Sequence, residues 1–215
     1  MKTLHGRRLT RRLCGMALLL CAGCAGHNAQ TRPAEQVYRN LAVLGGLPAR
    51  AIEPMMQTFN RALGVECVHC HVPEQWHDES KPAFAIARNM MRMVQTLNAE
   101  HLPKNKGVSC WTCHSGQTRP ARMPSEKFSA ELEKWPAALA NAEEGTKLTM
   151  AVYSAALGVS CDYCHIANDW QATARPAYQM VRVMNGMFEV FPQFMPASAR
   201  TQCWMCHKGS TTPAR

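Results

Sequence analysis

The sequence predicts a mainly α-helical chain built from two tandem copies of one two-motif unit, with few or no strands. Three observations predict it. First, apart from Cys14, Cys21 and Cys24, the cysteines all fall into four CxxCH motifs: CVHCH at 67–71, CWTCH at 110–114, CDYCH at 161–165 and CWMCH at 203–207. Second, the first cysteines lie 43 and 42 residues apart within the two pairs, and the pairs start 94 residues apart, so the chain repeats itself. Third, the apolar residues between motifs recur at helical spacing, and no stretch alternates as a strand does.

The elements follow in order. Residues 1–23 carry a basic head (Lys2, Arg7, Arg8, Arg11, Arg12) and a short apolar run from Leu13 to Ala22, too short to span a bilayer and typical of an export signal. The run ends in CAGC, similar to a lipoprotein cleavage box, which makes Cys24 the expected lipid anchor; Cys21 stands where such boxes carry Leu. Residues 24–46 then read as anchor and tether. Cleavage removes five basic residues and lowers the formal charge from +9 to +4, which leaves no case for a nucleic-acid surface. Export also places the cysteines where disulfides and covalent haem are both possible.

Residues 47–118 form the first unit and 141–215 the second, with a polar, Pro-containing linker at 119–140. The match extends beyond cysteine. MQTFNRALGVECVHCHVPEQW (56–76) aligns without a gap on MAVYSAALGVSCDYCHIANDW (150–170), and KPAFAIARNMMRM (81–93) on RPAYQMVRVMNGM (175–187). In the first unit, residues 54–63 should form a short helix with Pro54 early and Gly64 just past its end. A second helix should place Ala87, Met90, Val94 and Leu97 on one stripe, and Val181, Met184, Phe188 and Phe191 on its counterpart.

Paired cysteines alone could hold zinc or form redox disulfides. A structural zinc site closes with four ligands and does not call for His directly after the second Cys. Here that His occurs in all four motifs; with His at roughly four residues in a hundred, chance supplies this about three times in a million. CxxCH is the attachment pattern of c-type haem, with two thioethers to the porphyrin and an adjacent iron ligand. The expectation is four covalent haems on Cys67 and Cys70, Cys110 and Cys113, Cys161 and Cys164, Cys203 and Cys206. Their proximal ligands are His71, His114, His165 and His207. His69 sits at a variable position, where the repeat has Tyr163, and reads as incidental.

One methionine recurs before each motif: Met56 and Met150 stand 11 residues before Cys67 and Cys161, Met90 stands 20 before Cys110, and Met184 stands 19 before Cys203. These four are the expected distal iron ligands. Met93 and Met187 also recur and are the alternatives, with porphyrin packing as their other role. His101, nine residues before Cys110, is a third alternative and would give one bis-histidine haem. The recurring Arg88 and Arg182, and Lys81 and Arg175, suit propionate pairing or a solvated face. Trp76 and Trp170, and Trp111 and Trp204, should pack beside the rings.

Together, the M…LGxxCxxCH unit (Met56 to His71, Met150 to His165) and the AR-x-M-x-x-M helix followed by G-V-x-C-x-T-C-H (Ala87 to Met93, Gly107 to His114) resemble the tetrahaem cytochrome c subunit of photosynthetic reaction centres and its non-photosynthetic relatives. The resemblance implies a multihaem cytochrome c fold, haems stacked in a chain, and distal methionines at Met56, Met90 and Met150. Some members use a histidine after the Met90-type helix, the position of His101. The expected role is a periplasmic-side, lipid-anchored electron carrier between soluble donors and a membrane-bound acceptor. A dedicated reaction-centre subunit is the alternative. A multihaem reductase fits less well, because each motif has its own candidate distal ligand.

Overall fold

The computed structural model describes residues 31–196 and 202–213. The export signal, Cys14, Cys21 and Cys24 lie outside the described residues. Contacts divide the chain into two units, Met1–Glu53 and Pro54–Arg215.

In the first unit, the stretch expected as a tether closes on itself. Short 3-10 turns at Ala34–Gln36 and Ala49–Ala51 are joined where Ala34 N–H donates to the Leu47 carbonyl at 2.7 Å and Ala49 N–H to the Arg32 carbonyl at 2.9 Å. Glu35 accepts from the Gly46 N–H at 2.9 Å, a bond that holds its carboxyl below the usual range.

The remainder is helical, and the described residues contain isolated bridges but no sheet. Helix α1 (Ile52–Leu63) and helix α5 (Glu144–Leu157) open the two halves. α1 gives way to Gly64 (φ +64°) and α5 to Gly158 (φ +65°), both in the left-handed region where glycine is favoured. Helix α2 (Pro82–Thr96) and helix α6 (Pro176–Met187) follow. Each starts on a proline, whose missing N–H costs nothing at a helix N-terminus.

The two second helices end differently. α2 runs into a π turn, Leu97–His101, closed by Leu102 N–H on the Leu97 carbonyl at 3.0 Å. α6 stops at Met187, so the stripe expected to continue through Phe191 is broken and resumes in the short helix α7 (Phe191–Phe194). Helices α3 (Cys110–His114) and α8 (Trp204–His207) carry the second and fourth motifs. Within the stretch expected to join the halves, Ser125–Glu133 form helix α4, which packs on α5.

Two seams join the halves. In one, α2, its π turn, α6 and α7 share a core of Met93, Leu97, Leu102, Met187 and Val190. In the other, α3 packs on α8. The core is thin: six of the fourteen buried apolar residues described are alanine, and no large side chain described is fully buried.

Four candidate haem-attachment turns

The four CxxCH motifs take two local forms. Motifs one and three form 3-10 turns, Cys67–His69 and Cys161–Tyr163, with nearly equal angles at the second cysteine: φ −103°, ψ −32° at Cys70 and φ −103°, ψ −30° at Cys164. Motifs two and four are helical, and each ends on a residue at φ +49°, Ser115 or Lys208. A capping box fixes the start of α3, where Ser109 N–H donates to Thr112 Oγ1 at 3.0 Å. The chain entering it is held by Asn98, whose side chain accepts from Val108 N–H at 2.7 Å and donates to the Val108 carbonyl at 2.9 Å.

Each histidine is oriented in the same way. Nδ1 of His71 donates to the Trp76 carbonyl at 2.8 Å, and Nδ1 of His165 to the Trp170 carbonyl at 2.8 Å. Nδ1 of His114 donates to the Gln117 carbonyl at 2.9 Å and Nδ1 of His207 to the Ser210 carbonyl at 2.9 Å. With the proton committed to Nδ1, the Nε2 lone pair is left for a metal. Burial also holds His114 and His207 below the ordinary imidazole range. Burial thus favours the neutral imidazole that ligation requires.

Aromatic rings buttress the first histidine of each half. The His71 ring lies 5.1 Å from Phe84 and 5.9 Å from Trp76, and the His165 ring lies 5.8 Å from Tyr178 and 6.1 Å from Trp170. The sequence set the tryptophans beside the motifs but did not single out Phe84 and Tyr178, although KPAF and RPAY align them.

The donor set fits covalent haem. The eight motif cysteines are free thiols, each pair standing beside a histidine with its Nε2 lone pair available. Among the described residues no three His, Cys, Asp or Glu side chains converge as a zinc site would need.

The recurring methionines divide into two classes. Met93 and Met187 are 9 % and 7 % exposed in the core seam, while Met90 and Met184 are half-buried at its edge. Met56 is half-buried on α1. Met150 lines a cavity of about 100 Å³ together with Cys161, and Trp135 and Pro136 from the stretch after α4 close its side. Trp135 is held there by its Nε1–H on the Leu139 carbonyl at 2.9 Å. The hydroxyl of Tyr153, one turn after Met150, donates to Asn185 at 2.8 Å and so ties α5 to α6 beside Met184. His101 lies against α6, its Nδ1 3.8 Å from where a Cβ on Gly186 would stand.

The cations are more committed than their sequence positions implied. Arg88 pairs with Glu79 and stacks 4.6 Å over the Phe84 ring, and Lys81 Nζ donates to the Val68 carbonyl inside the first motif. Arg182 is exposed.

The second motif of each half is joined to that half's first helix through the main chain. Gly116 N–H donates to the Ala62 carbonyl at 2.8 Å, and Gly209 N–H to the Ala156 carbonyl at 2.8 Å. A Cβ on Gly64 would come within 2.1 Å of the Gly116 oxygen, and one on Gly158 within 2.2 Å of the Gly209 oxygen. The accepting alanines are 1 % and 0 % exposed.

A family model described as "Photosynthetic reaction centre cytochrome C subunit" matches residues 19–142. The chain is 26 % identical over 250 aligned residues to the photosynthetic reaction center cytochrome c subunit of Rubrivivax gelatinosus, an alignment covering 84 % of this chain and 68 % of that protein. The equivalent protein of Roseobacter denitrificans is 24 % identical, with 84 % and 70 % covered. Cytochrome c-554 of Chloroflexus aurantiacus is 39 % identical over 82 residues, which cover 35 % of this chain and 20 % of that protein.

Proposed function

Because the chain belongs to the photosynthetic reaction centre cytochrome c subunit family, and is thus a c-type cytochrome that carries electrons on covalent haem, we propose that it is an exported tetrahaem carrier made of two dihaem halves. Bound haem supplies a reversible one-electron couple at each site. The chain's own residues hold, orient and shield it. Cys67 and Cys70, Cys110 and Cys113, Cys161 and Cys164, and Cys203 and Cys206 form the thioethers. His71, His114, His165 and His207 ligate from one side.

The observation that carries this reading is the fourfold bond from histidine Nδ1 to a main-chain carbonyl, which presents the same lone pair beside two free thiols in every motif. Met56, Met90, Met150 and Met184 are assigned as distal ligands. Their thioether sulfurs favour ferrous iron over what imidazole would give and so raise the potentials. Met93 and Met187 belong to the core. His101, set against the helix that carries Met184, competes for that ligand position.

We place the carrier on the periplasmic side, anchored through acylated Cys24, passing electrons from soluble donors to a membrane-bound acceptor. No helix among the described residues is long and apolar enough to cross a membrane. The names of the two relatives aligned over most of the chain favour a second reading, a dedicated subunit seated on a reaction centre. Copurification with pigment-bearing proteins would select that reading.

The test is haem stoichiometry. Four haems per chain that resist extraction by acidified solvent, with no rapid carbon monoxide binding to the ferrous protein, are expected. Fewer than four, or extractable haem, would overturn the tetrahaem assignment; fast carbon monoxide binding would reveal an open iron and favour a reductase.

A further inference from the structure

The seam between α3 and α8 brings the second and fourth motifs together, and one cation stands in it. Helix α3 packs on α8 there. Lys208 directly follows His207, in the left-handed position that Ser115 holds after His114. From there Lys208 Nζ reaches the other half and donates to the Ser115 hydroxyl, 93 residues away in sequence.

Among the described residues no carboxylate forms an ion pair with this ammonium. The cleft beside it contains Lys127 and Lys134 as well as Lys208, and its one acid, Glu131, is taken by Lys134. Lys208 is half-buried, which weakens solvent screening of its charge.

We propose that Lys208 is a shared tuning residue: a single ammonium, placed between the second and fourth attachment turns, that raises the reduction potential of both haems those turns hold. The reason is electrostatic. Reduction adds one negative charge at the iron, and a fixed, weakly screened cation on the attachment side stabilises the reduced form. The two cysteine pairs lose their own ionisable protons on becoming thioethers, so Lys208 remains the charged group common to both turns. The first motif has a cation of its own: Lys81 donates to the Val68 carbonyl within that turn.

The inference rests on the tetrahaem reading, and one sample separates the two. Full-length Lys208→Gln, Lys208→Arg and wild-type holoproteins are counted for haem and titrated in a spectroelectrochemical cell. In Lys208→Gln two of the four waves should move to lower potential, each by about a tenfold change in the ferric-to-ferrous ratio, about 59 mV for one electron. Lys208→Arg should leave them in place. Four unmoved waves, or movement of one alone, in a protein with its full haem count would overturn the proposal. A low haem count in the wild type would overturn the tetrahaem reading instead. If Lys208→Gln does not mature, Ser115→Asp neutralises the ammonium in place and should lower the same two waves; four unmoved waves there would equally overturn it.

Discussion

At the scale of the residue, burial sets Met93 and Met187 apart from the four methionines proposed as ligands. Met93 and Met187 point into the seam between α2 and α6, and Met90 and Met184, one turn earlier, stand at its edge. Two substitutions should therefore behave in opposite ways. Met→Ala at position 56, 90, 150 or 184 should each remove about one quarter of the sulfur-to-iron charge-transfer absorbance of the oxidised protein. Met93→Ala or Met187→Ala should leave that band intact and cost about 2–5 kcal/mol of stability through the cavity left behind, read by chemical unfolding. Should Met184→Ala keep the full band, His101 holds that iron, and His101→Ala would then shift the spectrum.

At the scale of the element, the CxxCH turns take two local forms although their histidines share one geometry. The capping box of Ser109 and Thr112 sets α3, and Asn98 fixes the chain that enters it. The glycines that end α1 and α5 admit the main chain of the second motif, which passes where any Cβ would stand. Gly64→Ala or Gly158→Ala combines a left-handed backbone with that collision and should cost well over about 1–2 kcal/mol. Loss of haem from the second motif of the altered half, seen in peptide maps, is the expected readout, with the other half unaffected. Helix α4 gives a further prediction. Trp135 closes the Met150 cavity, so Trp135→Ala should admit carbon monoxide to one ferrous haem while Trp111→Ala, at an exposed ring, should not.

Much of this was legible in the sequence because duplication turns weak signals into strong ones. CxxCH four times over, the paired Met56 and Met150, and the glycines at 64 and 158 all repeat, and each has a counterpart in the structure. What escaped were features without a partner in the other half. The stretch after Pro124 has no counterpart before α1 in the alignment, so nothing in it suggested a helix beside Met150. The π turn that sets His101 against α6 depends on one extra residue per turn, which no periodicity over five residues can reveal. Phe84 and Tyr178 were visible in KPAF and RPAY, but their role needed the distance to a histidine ring.

At the scale of the whole molecule, two seams make one body of the region from Pro54 onward: the apolar one between α2 and α6, and the polar one between α3 and α8. A reductive titration of the intact protein should accordingly consume four electrons per chain, in waves that each follow a one-electron slope. Replacing Cys24 with Ser should move the protein from the membrane fraction to the soluble one with all four waves preserved. Retention in the membrane fraction would point to a protein partner in place of the lipid.

The join between each second motif and the helix before it runs from main chain to main chain, through Gly116 to Ala62 and Gly209 to Ala156. It asks for two glycines and almost nothing else of the sequence. Side chains exposed on the surface of a half can change without breaking that main-chain link. The glycine pair is thus the constraint that this join places on each half, Gly64 with Gly116 and Gly158 with Gly209.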